Sequence, residues 1–185
     1  MQRQLVFAAV FCAIALIQGC ATPSAGVNMV ASPEGSTTGP RDPSLQRAIK
    51  LRNVAGGSET NALWMSKVSD TDFRFALENS LKSAGLLSTG EAPRYQLDAT
   101  LLSLEQPLVG FSLTVTCSVR YDLSDAASAK RVFGKTITTP FTATTSDAFL
   151  GVERMRIANE GAVRQNLRQL LQELLVLDVT KTASQ

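Results

Sequence analysis

Apolar and polar residues alternate without a break over one long stretch of the chain, which is its strongest periodic signal. From Phe111 to Leu123 the odd positions are apolar and the even positions are polar or charged. A period of two predicts a β-strand with one buried and one wet face. Cys117 lies on the apolar side, so we expect a buried thiol that behaves as a small hydrophobic group. Shorter alternations predict strands at 48–54, 95–101 and 131–139, the last closed by Pro140.

Two segments repeat at helical spacing instead. Ser69 to Asp72 (SDTD) is a capping sequence, apolar residues follow at helical intervals, and Gly85 supplies a stop signal. A second, longer helix is predicted from Val152 to about Leu177. Its expected buried stripe consists of Val152, Met155, Ala162, Val163, Leu170, Leu174 and Leu177.

The predicted element order is therefore β-α-β-β-β-α. Helices on one face of a mostly antiparallel sheet form an α+β, two-layer sandwich. The Ser/Thr-rich side of the 111–123 strand is expected to be the uncovered face of that sheet.

The amino terminus carries a targeting signal. Leu5–Ile17 is an apolar run of 13 residues, too short for a stable membrane span of roughly 20 residues but suited to a signal peptide. The sequence that ends this run, Ile17-Gln18-Gly19-Cys20, resembles the bacterial lipobox. An ordinary signal peptide followed by a chance cysteine is the alternative.

The lipobox resemblance implies that residues 1–19 are removed and that Cys20 carries diacylglycerol and an N-linked acyl chain such as palmitate. Several acyl chains on one residue would hold the protein on a membrane essentially permanently. Ala21, directly after the cysteine, resembles the outer-membrane sorting signal of enterobacteria. The expected location is thus the periplasmic side of a Gram-negative outer membrane.

Composition changes again after the cysteine. Residues 20–44 hold four of the chain's seven prolines and no aromatic residue, which predicts a flexible tether. Such a tether would extend about 25–30 Å on average. Residues 45–185 are expected to be a single periplasmic domain.

Candidate chemistry is sparse. The chain contains no histidine, and its formal net charge is only +2. The missing histidine removes the commonest general base and nucleophile activator, and the small charge argues against a nucleic-acid partner. No phosphate-binding, hydrolase or metal motif occurs. We therefore expect no enzyme activity, no cofactor and no metal.

The last predicted helix offers a candidate partner surface. Asn159 and Asn166 fall within its apolar stripe, where they either bond backbone groups of loops or the sheet edge, or contact a partner. Leu171 and Leu175 widen that stripe, which indicates either deeper burial or a contact with a protein or lipid. Three arginines on the opposite face are expected to be solvated or to meet anionic headgroups: Arg154, Arg164 and Arg168.

This combination resembles the small Gram-negative outer-membrane lipoproteins of YajG-like and LptE-like (lipopolysaccharide-assembly) architecture. The resemblance rests on the lipobox, on the helix 72–77, on the Tyr95-Gln96-Leu97 strand and on the opening of the last helix at 154–159. It implies a non-enzymatic binding or assembly accessory of an envelope complex, and the LptE-like case implies a plug inside a lipopolysaccharide-inserting barrel.

Two alternatives remain open at this point. One is the accessory lipoprotein of a lipid-transporting ABC system that binds acyl chains, and the other is an envelope hydrolase or transferase without a recognisable site. An apolar pocket lined by Phe73, Leu77, Phe111 and Leu170 would favour the lipid binder, whereas a filled core there would favour a protein adaptor.

Overall fold

A computed structural model describes residues 23–33, 39–57, 67–107 and 110–179. The predicted signal peptide and Cys20 lie outside these ranges. In chain order the regular elements are α1 (Gly26–Met29), β1 (Ile49–Ala55), α2 (Asp70–Ser83), β2 (Tyr95–Glu105), β3 (Leu113–Asp125), β4 (Arg131–Ala143) and α3 (Gly151–Val176).

The four strands form one mixed sheet in the order β1-β2-β3-β4. β1 pairs with β2 in parallel, and the two following pairs are antiparallel. A parallel pair needs a crossover connection, which α2 supplies. α2 packs against β1, and α3 packs against β3 and β4. The predicted α+β two-layer sandwich is confirmed, with α1 as an additional element.

The long alternating strand forms largely as its pattern predicts. Every second residue of β3, from Leu113 to Leu123, is buried against the helices. Phe111 is the exception, because the strand begins at Leu113 and Phe111 lies in the preceding bend with its ring exposed. The prediction that Phe111 belongs to the buried face is therefore wrong.

β4 is longer than predicted. It continues through Pro140, which is paired with Thr116, and ends at Ala143. β4 is an edge strand with a single neighbour, and a proline is tolerated in such a strand where its nitrogen faces away from the ladder. Proline therefore did not mark the end of this strand.

α2 begins and ends where the sequence predicts. The Ser69 hydroxyl accepts a hydrogen bond from the Asp72 backbone N–H at 3.0 Å and donates to the Asp72 carboxylate at 2.6 Å. Two carboxylates in the first turn complement the positive end of the helix. Gly85, just past the helix, has a φ of +69°, a conformation that glycine adopts readily.

Residues 23–31, hereafter the strap, pack into the domain. Met29 and Ala31 are fully buried against the helices. The Ala31 N–H donates to the Ser80 hydroxyl at 2.9 Å, and the Ser83 hydroxyl donates to the Ala31 carbonyl at 3.0 Å. The expectation of a flexible tether is wrong for this segment, because a few well-placed apolar groups and matched backbone bonds outweigh a polar average composition.

The end of the predicted tether also belongs to the domain. The Arg41 N–H donates to the Leu175 carbonyl at 2.8 Å, and the Asp42 carboxylate accepts from the Val179 N–H at 3.1 Å. Leu45 is fully buried. The domain therefore begins before Leu45, and residues 34–38 of the predicted tether lie outside the described ranges.

α3 is the central helix of the helical layer, and most of its predicted stripe is buried. Ala162, Val163, Leu170 and Leu174 are inside, while Val152 is exposed at the first turn. Within the described ranges, no helix combines the length and the apolar composition needed to cross a bilayer.

Candidate functional site

The described residues contain no reactive constellation. Cys117 is buried in the sheet face beneath α3, and burial raises the pKa of its thiol to about 12. A thiol with that pKa holds almost no thiolate at neutral pH and makes a poor nucleophile. Among the described residues, no group of three potential ligands from histidine, cysteine, aspartate and glutamate could hold a metal ion.

The two asparagines predicted as candidate partner contacts are buried in the domain. The Asn166 amide donates to the Ile137 carbonyl at 2.8 Å and to the Cys117 carbonyl at 3.2 Å, and it accepts from the Tyr121 hydroxyl at 2.8 Å. Asn159 accepts from the Gln106 side chain at 2.7 Å. Both amides lie inside the chain, so the partner interpretation of these positions is wrong and the backbone interpretation of Asn166 is confirmed.

The two leucines predicted as partner contacts are also core residues. Leu171 is fully buried and Leu175 nearly so, and the Arg41 N–H donates to the Leu175 carbonyl on that side of α3. The wide apolar sector of α3 therefore reflects deeper burial, and these leucines offer no surface to a partner.

The lipid pocket considered from sequence does not form among the described residues. Phe73, Leu77 and Leu170 are fully buried core side chains, whereas Phe111 lies outside the core. A shallow cleft of about 230 Å³ runs beside the end of β2, lined by Gly56, Val68 and the residues 101–104 among others. Its lining includes polar groups, so it differs from the predicted pocket.

Arg154 is buried rather than solvated. Its guanidinium donates to the backbone carbonyls of Phe149 at 2.6 Å, Ala148 at 2.9 Å and Gly110 at 3.4 Å. A buried cation needs such acceptors, and these carbonyls bind both terminal nitrogens of the guanidinium, while its Nε has no hydrogen-bond partner among the described residues. One side chain thereby joins the loop that precedes β3 to the loop that precedes α3.

These two loops carry exposed apolar side chains. Phe149 is 91% exposed and Phe111 is 85% exposed, and each lies at or next to a carbonyl bound by Arg154. Leu150 and Val152, at the start of α3, are exposed as well. We call Phe111, Phe149, Leu150 and Val152 the apolar tip.

The strap is attached to α3 through a buried carboxylate. Glu160 accepts from the Ala25 N–H at 2.9 Å, from the Asn28 side-chain amide at 3.1 Å and from Arg156 at 2.7 Å. Arg156 also binds Glu153. Hydrogen bonds from Arg156 lower the pKa of Glu153, and the paired carboxylates raise the pKa of Arg156.

The strap runs in the same direction as both main helices. Ser24 bonds to Lys67, just ahead of α2, Gly26 bonds to Asp72 in its first turn, and Ala31 bonds near its end. Along α3, Ala25 meets Glu160 and Asn28 meets Arg164. The strap therefore begins, at Pro23, at the end of the domain that carries the apolar tip.

The outer face of the sheet is uncovered and polar. Thr114 and Thr142 hydrogen-bond across β3 and β4 at 2.8 Å, and Ser118 and Thr138 do so at 2.9 Å. Cross-strand hydroxyl pairs of this kind stabilise a sheet and hold its surface side chains in place. The predicted wet face is confirmed, and it presents ordered hydroxyl groups.

The sequence reasoning missed the apolar tip and the strap. Phe149 lies between the predicted 131–139 strand and the helix predicted from Val152, where no element is predicted, and Phe111 completes an alternating pattern. Two aromatic residues flanked by glycines, Gly110 and Gly151, were the available signal. Composition offered no signal for the strap, whose contacts are all long-range.

Neither a protein-family model nor a curated protein matches the sequence of this chain. A solved structure with a TM-score above 0.5 shares the fold, and others are more distantly similar. Protein XCC0632 of Xanthomonas campestris, of the DUF330 family, is 12% identical with a TM-score of 0.55, covering 84% of this chain and 98% of that one. PelC of Paraburkholderia phytofirmans, a dodecamer, is 15% identical with a TM-score of 0.49, covering 74% and 94%.

A minor lipoprotein of Acinetobacter baumannii is 14% identical with a TM-score of 0.41, covering 72% of this chain and 98% of that one. The likeness to XCC0632, at 12% identity, shows the fold alone. None of the three is a YajG-like or LptE-like protein by name, so that finer resemblance stays a prediction.

Replacing Glu160 with alanine should loosen the strap. The change removes the acceptor of two strap hydrogen bonds and leaves Arg156 with one carboxylate, a loss of about 3 kcal/mol in the free energy of unfolding. Hydrogen exchange should show faster exchange at the amides of Ala25 and Ala31. Glu173→Ala is the matched control. Glu173 lies on the same helix as Glu160 and makes an exposed ion pair with Lys135 of β4. Its replacement should lower the free energy of unfolding by less than about 1 kcal/mol. Equal protection of the strap in both variants would contradict the role of Glu160.

Proposed function

We propose that this chain is a bacterial lipoprotein, anchored through acylated Cys20, whose domain is a non-enzymatic binding or assembly accessory of an envelope complex. The observation that carries the proposal is the sequence Ile17-Gln18-Gly19-Cys20 at the end of a 13-residue apolar run. The anchor faces the periplasm, and Ala21 favours the outer membrane over the inner one.

The strap fits this anchor. It is fixed to α2 and α3 from residue 24 onward, only a few residues after Cys20. A folded domain that starts directly at a lipidated residue is held close to the membrane. The domain is thus a membrane-proximal module rather than one carried on a long spacer.

A binding role agrees with the chemistry of the described residues. The thiol of Cys117 is buried with a pKa of about 12. Asp70 and Asp72 serve the start of α2, since Asp70 accepts from the Gly57 N–H and Asp72 from the Gly26 N–H and the Ser69 hydroxyl. Structural contacts therefore account for these three side chains.

The filled core favours a protein adaptor over a carrier of acyl chains. Phe73, Leu77 and Leu170 belong to one continuous core and have no exposed surface. An acyl chain would have to displace them, and close-packed interiors resist such displacement. The partner is then a protein of the envelope that meets the domain from outside.

The uncovered sheet face is the surface that such a protein would contact. Its hydroxyls are already held by cross-strand bonds between Thr114 and Thr142 and between Ser118 and Thr138. Ordered side chains lose little conformational entropy on binding. The residues of this face are distinct from those of the apolar tip, so contact with one leaves the other available.

Replacing Cys20 with serine tests the anchor. A hydroxyl cannot take the place of the thiol that forms the thioether to diacylglycerol, so the variant should remain an unprocessed precursor or leave the membrane fraction. Cell fractionation, gel migration and labelling with a palmitate analogue report the change. A variant that fractionates, migrates and labels as the wild type does would refute the lipoprotein proposal.

Photo-cross-linking tests the adaptor role. A photoreactive phenylalanine analogue in place of Thr138, in the full chain expressed in its own membrane, should give one discrete adduct with an envelope protein. The same analogue at Gln172, exposed on the outer side of α3, is the control and should give no such adduct. Equal patterns at both positions, or no adduct at Thr138, would count against the sheet face as the binding surface.

A further inference from the structure

The apolar tip is an exposed surface that neither the core nor the proposed partner surface explains. Four apolar side chains project from two loops and a helix start, and the most prominent are Phe149 and Phe111. Grouped exposed aromatics of this kind mark contact sites, whereas single ones do not. Arg154 joins the two loops through their carbonyls, so the backbone that carries the two rings is held in place.

The direction of the strap places the lipid anchor at this same end. Ala25 is bonded to Glu160, nine residues along α3 from its first residue, a distance of about 14 Å along the helix axis. Ala25 lies five residues after Cys20, and five extended residues span at most about 18 Å. The acylated cysteine can therefore reach the plane of the apolar tip but can pass only a few ångströms beyond it.

This short reach keeps the end of the domain that carries the tip close to the membrane. If the acyl chains of Cys20 lie in a bilayer, the first turn of α3 lies at the headgroups, and side chains that project beyond it enter the interface. We propose that the apolar tip inserts into the membrane interface and forms, with the acylated Cys20, a two-point membrane contact that fixes the orientation of the domain. This inference rests on the proposed acylation of Cys20 and adds a second contact and a fixed pose.

The contact is apolar rather than electrostatic. Arg154 is occupied by carbonyls inside the domain, and Asp147 and Glu105 are exposed charged groups of the neighbouring loop and strand end. Anionic lipids would gain nothing from these carboxylates. Burial of apolar surface in the acyl boundary needs no lipid charge and resists salt.

Tryptophan fluorescence measures the depth of the tip. The chain has a single tryptophan, so Trp64→Phe removes the native signal and Phe149→Trp supplies a reporter at an exposed site. The full chain is purified from membranes, the mass of its amino-terminal peptide is recorded, and the protein is reconstituted into phosphatidylcholine vesicles with brominated acyl chains. The emission of the tip reporter should shift to shorter wavelength and lose most of its intensity.

Val176→Trp in the same Trp64→Phe background is the matched control. Val176 is 57% exposed at the last residue of α3, about 37 Å from the first. The emission of this control reporter should be unaffected by the brominated lipid. Replacing part of the phosphatidylcholine with phosphatidylglycerol, or adding 0.5 M salt (about a 4 Å screening length), should leave the quenching of the tip reporter unchanged.

The outcomes separate the two proposals. If the protein is acylated but the brominated lipid quenches neither the tip reporter nor the control reporter, the membrane contact of the tip is overturned and the anchor proposal stands. Quenching that requires phosphatidylglycerol and disappears in salt overturns the apolar contact. A peptide without acyl chains overturns the anchoring proposal, and the two-point contact falls with it. Circular dichroism of each variant confirms that it is folded before the comparison is made.

Discussion

One buried carboxylate, that of Glu160, joins the strap to α3. This group is almost fully buried on α3, and a buried charge is tolerated only when donors surround it. Arg156 supplies one donor, and the strap supplies two through Ala25 and Asn28. The same hydrogen bonds therefore satisfy the buried carboxylate and hold the strap against α3.

A second buried charge sets the shape of the neighbouring end. Arg154 lies in the first turns of α3, near the positive end of the helix, where a cation is unfavourable. Carbonyls of the loops before β3 and before α3 compensate for it. The same bonds hold these loops in a conformation that turns Phe111 and Phe149 outward. Glu160 thus fixes where the chain enters, and Arg154 fixes what that end presents.

Local patterns in the sequence predicted those parts of the fold that local physics decides. The Ser69 cap, the Gly85 stop and the period-two alternation through Cys117 each describe bonds or faces within one element, and the structure confirms them. The uncovered hydroxyl face followed from the same alternation. The alternation of apolar and polar residues could not show that the strand begins two residues after Phe111.

The candidate sites depended on long-range contacts and were harder to predict. Whether Leu171 faces a partner or the core depends on segments distant in sequence, and the polar composition around Arg41 gave no hint that this segment packs beside Leu175.

Neutron reflectometry on the acylated protein at a supported bilayer measures how far the domain lies from the membrane. A domain fixed by the strap predicts protein density that begins within the headgroup layer, with no layer of solvent between. The flexible tether predicted for residues 20–44 would instead leave a hydrated gap of about 25–30 Å. A gap of that size, in a protein shown to be acylated at Cys20, would contradict a domain fixed at the membrane by its amino-terminal segment.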